Sequence, residues 1–224
     1  MNKRRFLQAA GSFVAVGSAG LLMRSALAAD GRLLPSPGMD IGPFYPVEKP
    51  AEVDADLTRL TGHSARARGQ VIEVCGRVLS TDGKPVAQAR VEIWQANAVG
   101  RYSHHGDNHA QLALDTDFQG YAMQKTDGQG RFRFLTIKPG AYPAGDFVRA
   151  PHIHFDVSGR WDRLITQMYF PGEAALAQDK VLLHDMEGET SPLPERIFGR
   201  LVPGASTLES GAPLYAFDVV LYNG

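Results

Sequence analysis

From about residue 70 to the C-terminus, apolar and polar residues alternate in short runs, each closed by a turn signal. That is the period of half-buried strands. Val71–Val78 is one such run, and Asp82-Gly83-Lys84-Pro85 turns it into Ala89–Gln95. Gly120–Lys125 follows, then the Asp127-Gly128 turn and Arg131–Leu135, where Phe132 and Phe134 alternate with Arg131 and Arg133. Lys138-Pro139-Gly140 opens a loop that runs to Arg149, and His152–Val157, Leu164–Phe170 and Leu214–Tyr222 complete the set. Only Glu173–Leu183 has helical character, and it is weak. Short strands with regular turns predict an all-β fold, an antiparallel β-sandwich over residues 70–224. Residues 29–69 are rich in Pro and Gly without periodicity and predict an extended N-terminal arm. Within it, Gly42-Pro43-Phe44-Tyr45-Pro46 places turn formers around two aromatics.

Residues 1–28 read as a leader. Lys3-Arg4-Arg5-Phe6-Leu7 precedes a run from Ala9 to Met23 rich in Gly, Ala and Ser, and Ser25-Ala26-Leu27-Ala28 supplies small residues for cleavage. That run is short of the ~20 residues a membrane span needs. The Arg-Arg-x-Phe-Leu pattern is similar to a twin-arginine signal, which predicts export of an already folded chain to the periplasm or beyond. Retention of the leader as an anchor is the alternative. Without residues 1–28 the chain keeps 19 basic against 24 acidic residues, a net charge of −5. That balance makes nucleic acid a poor partner, and no membrane contact is expected after cleavage. Cys75 is the one cysteine, so no internal disulfide or cysteine-ligated metal site can form within a single chain. Its apolar neighbours predict a small buried hydrophobe.

The sharpest local signal is His152-Ile153-His154. Residues two apart on a strand point to the same side, about 7 Å apart, so both imidazoles can reach one ion while Ile153 and Phe155 face the core. The pair alone fits a metal site and an ordinary strand equally well. Asp156 lies on the same face and could complete a two-histidine, one-carboxylate iron(II) set. A cupin-type glutamate is missing, because Val157 and Ser158 stand where it belongs. Tyr102 and Tyr142 are the other candidates, each on a loop beside glycine or proline. A phenolate is a hard anionic donor suited to iron(III), and a trivalent cation can hold it deprotonated although a free phenol has a pKa of about 10. Either tyrosine by itself reads more simply as a residue at the edge of a core.

Five blocks occur in order: Ile93-Trp94-Gln95-Ala96-Asn97, Gly100-Arg101-Tyr102-Ser103-His104, Lys138-Pro139-Gly140-Ala141-Tyr142-Pro143, Arg149-Ala150-Pro151-His152-Ile153-His154-Phe155 and Ile165-Thr166-Gln167-Met168-Tyr169-Phe170. Together, from about Gly42 to the C-terminus, they resemble the intradiol ring-cleavage dioxygenases, most of all the iron-binding, protocatechuate-type chains. The resemblance implies a β-sandwich, a non-haem iron(III) cofactor, and a small catecholic substrate opened with O2 to a muconate-type diacid. It implies Tyr102, Tyr142, His152 and His154 as iron ligands and Tyr142 as general base. Arg149 would stabilise developing negative charge, and Gln167 would orient the substrate. Ala144, and Ala150-Pro151 ahead of the histidine pair, depart from the protocatechuate-type pattern beside the substrate pocket. Homo- or hetero-oligomeric assembly is left open. The alternative class is a secreted, non-catalytic, transthyretin-like β-sandwich; a zinc or copper hydrolase built on His152 and His154 is a third reading. Convergence of the four donors decides between the first two, and metal analysis with the visible spectrum separates the third.

Other residues read as background. His104, His105 and His109 fit a solvated loop, with His104 as support for the Tyr102 loop; a second metal site is the alternative. His63 and His184 read as surface residues without partners. Trp94 and Phe132 read as core, Tyr45 as packing or pocket wall, and Tyr169 as core or substrate contact.

Overall fold

A computed structural model describes residues 27–28, 30–187, 193–204 and 206–224. The twin-arginine pattern and the apolar run of the expected leader lie outside the described residues. From 30 to 69 the chain forms isolated bridges but no strand or helix, and it packs back on the body: Leu57 is fully buried and bonds Leu135 through its N–H.

Two sheets face each other. In the first, β1 (Val71–Ser80) pairs antiparallel with β4 (Arg131–Ile137) from Val71↔Ile137 to Arg77↔Arg131. In the second, β2 (Arg90–Trp94), β3 (Tyr121–Lys125), β7 (His152–Ser158) and β8 (Arg163–Tyr169) run antiparallel in the order β3-β2-β7-β8. Alternation decides which side chains meet between them. Ile72, Val74, Phe132 and Phe134 from one sheet pack in a single cluster with Val91, Ile93, Ile153, Phe155 and Val157 from the other. The Phe132 and Phe155 rings are 5.8 Å apart across that interface. Arg131, one position out of phase with Phe132, is exposed, as the pattern required.

Three expectations change. First, β1 also has parallel partners, β10 (Leu214–Ala216) and β11 (Val219–Leu221), with β9 (Arg200–Val202) beyond β10, so this sheet is mixed. The single C-terminal strand is broken in two: where Arg77 N–H should meet a backbone carbonyl, it donates to the Asp218 carboxylate at 2.8 Å. Second, the loop to Arg149 contains a hairpin, β5 (Tyr142–Ala144) with β6 (Phe147–Arg149), joined by a two-residue turn. Its strands are too short to show a period. Third, Glu173–Leu183 divides into a 3-10 turn, Ala174–Gln178, and a short helix α1, Lys180–Asp185, separated by an extended Asp179.

Cys75 lies buried against Leu214 and Ala216, and burial pushes its thiol up to about 11, so it behaves as the small hydrophobe expected.

Candidate metal centre

β7 has β2 on one side and β8 on the other, so its backbone is locked by two ladders. With Ile153 and Phe155 committed to the core, His152 and His154 emerge together on the opposite face. Register then chooses their neighbours. His154 sits between Trp94 on β2 and Gln167 on β8, and His152 is opposite Tyr169. The Trp94 indole lies flat on the His154 ring, with centroids 4.6 Å apart and planes 9° apart. Trp94 is buried as expected, but its work is to fix an imidazole, which alternation alone could not show.

The phenols arrive from two loops that cross at backbone contact. Gly140 N–H donates to Asn97 O at 3.0 Å, and a Cβ on Gly140 would lie 2.5 Å from Ala98 O. A Cβ on Gly100 would lie 2.3 Å from Ala141 O, so both loops need glycine where they cross. The Asn97 side chain closes one loop by accepting from the Val99 and Arg101 N–H groups. Buried Asp107 accepts from Tyr102 N–H at 2.7 Å. Tyr142 begins β5 directly opposite Arg149.

Four rings therefore meet. Tyr102 and Tyr142 have centroids 5.5 Å apart, Tyr142 and His152 5.9 Å, Tyr102 and His154 6.3 Å, and the two imidazoles 4.7 Å. His152 Nδ1 faces Ala150 O at 2.6 Å, which places the proton on Nδ1 and a lone pair on Nε2. The two Nε2 atoms are 3.1 Å apart. Burial, and then the Arg149 charge, pull His152 down to about 3; burial, His152 and Arg149 hold His154 well below its usual value. Both imidazoles are thus neutral, the form that binds metals. Burial raises both phenols, and for Tyr102 the neighbouring Tyr142 adds to it. Tyr102 Oη, His154 Nδ1 and Trp94 Nε1 are buried and make no hydrogen bond of normal geometry among the described residues, although the Tyr142 phenol lies close enough to act on Tyr102 Oη. Desolvated polar atoms of this kind are costly unless something satisfies them. Two neutral imidazoles and two phenols fit a hard, highly charged cation, which would supply the positive charge that the phenolate forms need. Among the described residues no three His, Cys, Asp or Glu side chains gather as a metal site, so the phenols are the anionic donors on offer.

Asp156 does not join this set. Its carboxylate is taken by Arg163 at 2.9 and 2.8 Å, toward the far end of the sheet. Tyr45 is packing: its ring stands on edge to Trp94 and its hydroxyl donates to Glu92 at 2.9 Å. His63 and His184 are surface residues but have partners, Asp117 at 2.8 Å and Glu187 at 3.5 Å. The His104–His109 loop is less solvated than its composition implies, because Asp107 is buried and takes His109 Nδ1 at 2.8 Å. Phe44, one of the two aromatics in the Gly42–Pro46 turn, lies 4.6 Å from the Tyr102 ring and 6.2 Å from Tyr142 and so walls the site, a role its turn setting did not predict. A surface cavity of about 520 Å³ shares Asp40 and β8 with this region but lies toward Arg163, and none of the four donors lines it.

Arg149 and Gln167 are brought to the same place. Arg149 Nη2 donates to Gln167 Oε1 at 2.8 Å and to Tyr169 Oη at 3.0 Å. Gln167 Nε2 in turn donates to Asp40 O at 2.9 Å. Arg149 is held at Nε by Asp179, which sequence reasoning missed. A lone aspartate in a weakly helical stretch carries no signal beyond its helix-capping preference.

The buried imidazoles set a pH dependence in the metal-free protein. His152 has a folded value of about 3 against the ordinary 6.5, so between these values the unfolded chain binds the extra proton. Stability is then complete above about 6.5 and falls as pH drops toward about 3. Denaturant titration of metal-free protein at neutral pH and at a pH inside that window should give a lower midpoint in acid. Equal midpoints would mean that His152 is not held neutral.

Comparison with known proteins gives the family. Residues 41–221 match the family described as Dioxygenase. The protocatechuate 3,4-dioxygenase beta chain of Burkholderia cepacia is 44% identical over 185 residues, covering 80% of this chain and 76% of that one. A hydroxyquinol 1,2-dioxygenase from Rhizobium sp. (strain MTP-10005) is 31% identical over 156 residues, covering 63% of this chain but 50% of that protein. In fold, catechol 1,2-dioxygenase from Acinetobacter sp. ADP1 superposes with a TM-score of 0.62 at 23% identity, over 85% of this chain and 64% of that one.

Proposed function

The chain belongs to the family of intradiol ring-cleavage dioxygenases, and on that premise we propose that it opens a small catechol with O2 at a non-haem ferric site formed by Tyr102, Tyr142, His152 and His154. The observation that carries the assignment of residues is the meeting of two phenols with two neutral imidazoles, with Tyr102 Oη buried and unsatisfied. This family is generally iron(III)-dependent. When bound, a ferric ion supplies the Lewis acidity that draws electron density from a catecholate so that a ring carbon can react with dioxygen.

The side chains have separate tasks. A catechol must lose two protons to bind as a dianion, and one of them passes to a solvent-derived hydroxide, leaving as water. Tyr142, whose burial makes its phenolate a strong base, takes the other. Arg149 is buried and fixed at two nitrogens, so it presents its charge to the negative charge that builds up on the substrate without having to reorganise. Gln167, clamped by Arg149, Tyr169 and Asp40 O, orients the ring. The ring bond between the two hydroxyl-bearing carbons breaks, and both atoms of O2 enter a muconate-type diacid.

Export belongs to the same proposal, supported by Arg4-Arg5 ahead of the apolar run. Oligomeric assembly is supported by the alpha and beta chains into which protocatechuate 3,4-dioxygenase of Burkholderia cepacia is divided. The test is oxygen uptake by iron-loaded protein against protocatechuate, catechol and hydroxyquinol, with product identification. One equivalent of O2 per muconate-type product is expected. An extradiol aldehyde product, or no uptake with any catechol, would refute the assignment.

A further inference from the structure

We propose that Asp179 is the positioning residue for Arg149, fixing the guanidinium so that one nitrogen remains to serve the substrate. This rests on the reading that Arg149 works over the bound catechol. Asp179 is fully buried and thirty positions away in sequence, in the break between the 3-10 turn and α1. Its carboxylate collects three donors. Oδ1 accepts Leu182 N–H at 3.0 Å and lies 2.9 Å from Arg149 Nε. Oδ2 accepts Ala150 N–H at 2.9 Å and Arg149 Nε at 3.1 Å.

Arg149 Nη2 is taken by Gln167 Oε1 and Tyr169 Oη. Tyr169 Oη itself donates to Gln167 Oε1 at 2.6 Å, which closes the ring of contacts. With Nε and Nη2 committed, Nη1 makes no hydrogen bond among the described residues and is the donor left for a ligand. The chemistry explains why this residue is an acid. A helix N-cap alone needs one oxygen, and asparagine provides it equally well. A buried guanidinium needs a compensating anion with correct geometry, and a carboxylate supplies both the charge and acceptors on two oxygens. The same carboxylate also holds Ala150, whose carbonyl faces His152 Nδ1 at 2.6 Å, so Arg149 and His152 share one anchor.

The test compares Asp179→Asn, Arg149→Gln and the double variant as iron-loaded enzymes, with protocatechuate, catechol or hydroxyquinol, whichever supports turnover. For each, kcat, KM, iron content and the visible absorption band are recorded. Asp179→Asn keeps the helix cap and loses the anion. Its kcat should fall by about 10²-fold, the scale of a misplaced reacting group, with KM, iron content and band little changed. In the Arg149→Gln background the same substitution should have almost no further effect, because nothing is left for it to position. Multiplying losses in the double variant, or a silent Asp179→Asn beside a costly Arg149→Gln, would overturn the proposal and leave the role of Arg149 intact. A silent Arg149→Gln would remove the reading beneath it, and the proposal with it. Should Asp179→Asn fail to fold, Asp179→Glu keeps the anion and shifts it by a methylene. A lowered kcat at unchanged KM is expected there too, and wild-type kcat would overturn the proposal.

Discussion

Arg149→Ala should retain iron yet turn over catechols about 10²- to 10³-fold more slowly, the usual cost of losing one preorganised donor. The loss should fall on kcat, because a charge aimed at the transition state contributes little to ground-state binding. Burial argues for the upper part of that range: the side chain is 5% exposed, so its charge acts through little water. The substitution also leaves Asp179 without its cation, and breaking a buried pair costs about 3–5 kcal/mol against a total stability of roughly 5–15 kcal/mol. The variant therefore folds with a lower melting point, helped by the Leu182 and Ala150 N–H groups that still satisfy the carboxylate. Oxygen-electrode kinetics beside an iron assay separate the two effects. Turnover at the wild-type rate in an iron-replete variant would take Arg149 out of the mechanism.

Tyr102→Phe should move stability and function in opposite directions. The hydroxyl is buried and makes no hydrogen bond of normal geometry among the described residues, with the Tyr142 phenol close enough to act on it, and such a group costs about 1–3 kcal/mol. Removing it leaves the ring in place against Phe44 and Tyr142. The metal-free variant should therefore melt a few degrees higher, at about 2–4 °C per kcal/mol for a domain of this size. The same variant lacks one anionic oxygen donor and should bind iron(III) more weakly, with a weakened visible band and loss of most activity. An ordinary packing tyrosine would show neither the gain nor the loss. Stability traded for a functional group is a common signature of active sites.

How far the chain could be read differs from one element to another. β7 was legible because seven residues alternate without a break, and alternation alone puts His152 and His154 on the side away from Ile153 and Phe155. Convergence of the phenols was not legible from periodicity. It depends on Gly100 and Gly140 letting two loops touch, a relation between positions forty residues apart. The resemblance in the motifs brought Tyr102 and Tyr142 forward, and the loop crossing supplies the physical reason. Asp156 passed the face test and failed on partnership, since Arg163 on the next strand takes its carboxylate. Asp179 was invisible for the opposite reason, because its importance lies wholly in contacts made across the fold. The parallel return of β10 and β11 was hidden as well, since a strand's own pattern does not record the direction of its neighbour.

The most direct single measurement is the visible absorption spectrum of the wild-type protein loaded with one equivalent of ferric iron. Two phenolate donors should give a broad charge-transfer band and a burgundy solution, weakened in Tyr102→Phe. A colourless protein carrying stoichiometric iron(III) would contradict the phenolate site, and with it the placement of this chain's chemistry at residues 102, 142, 152 and 154.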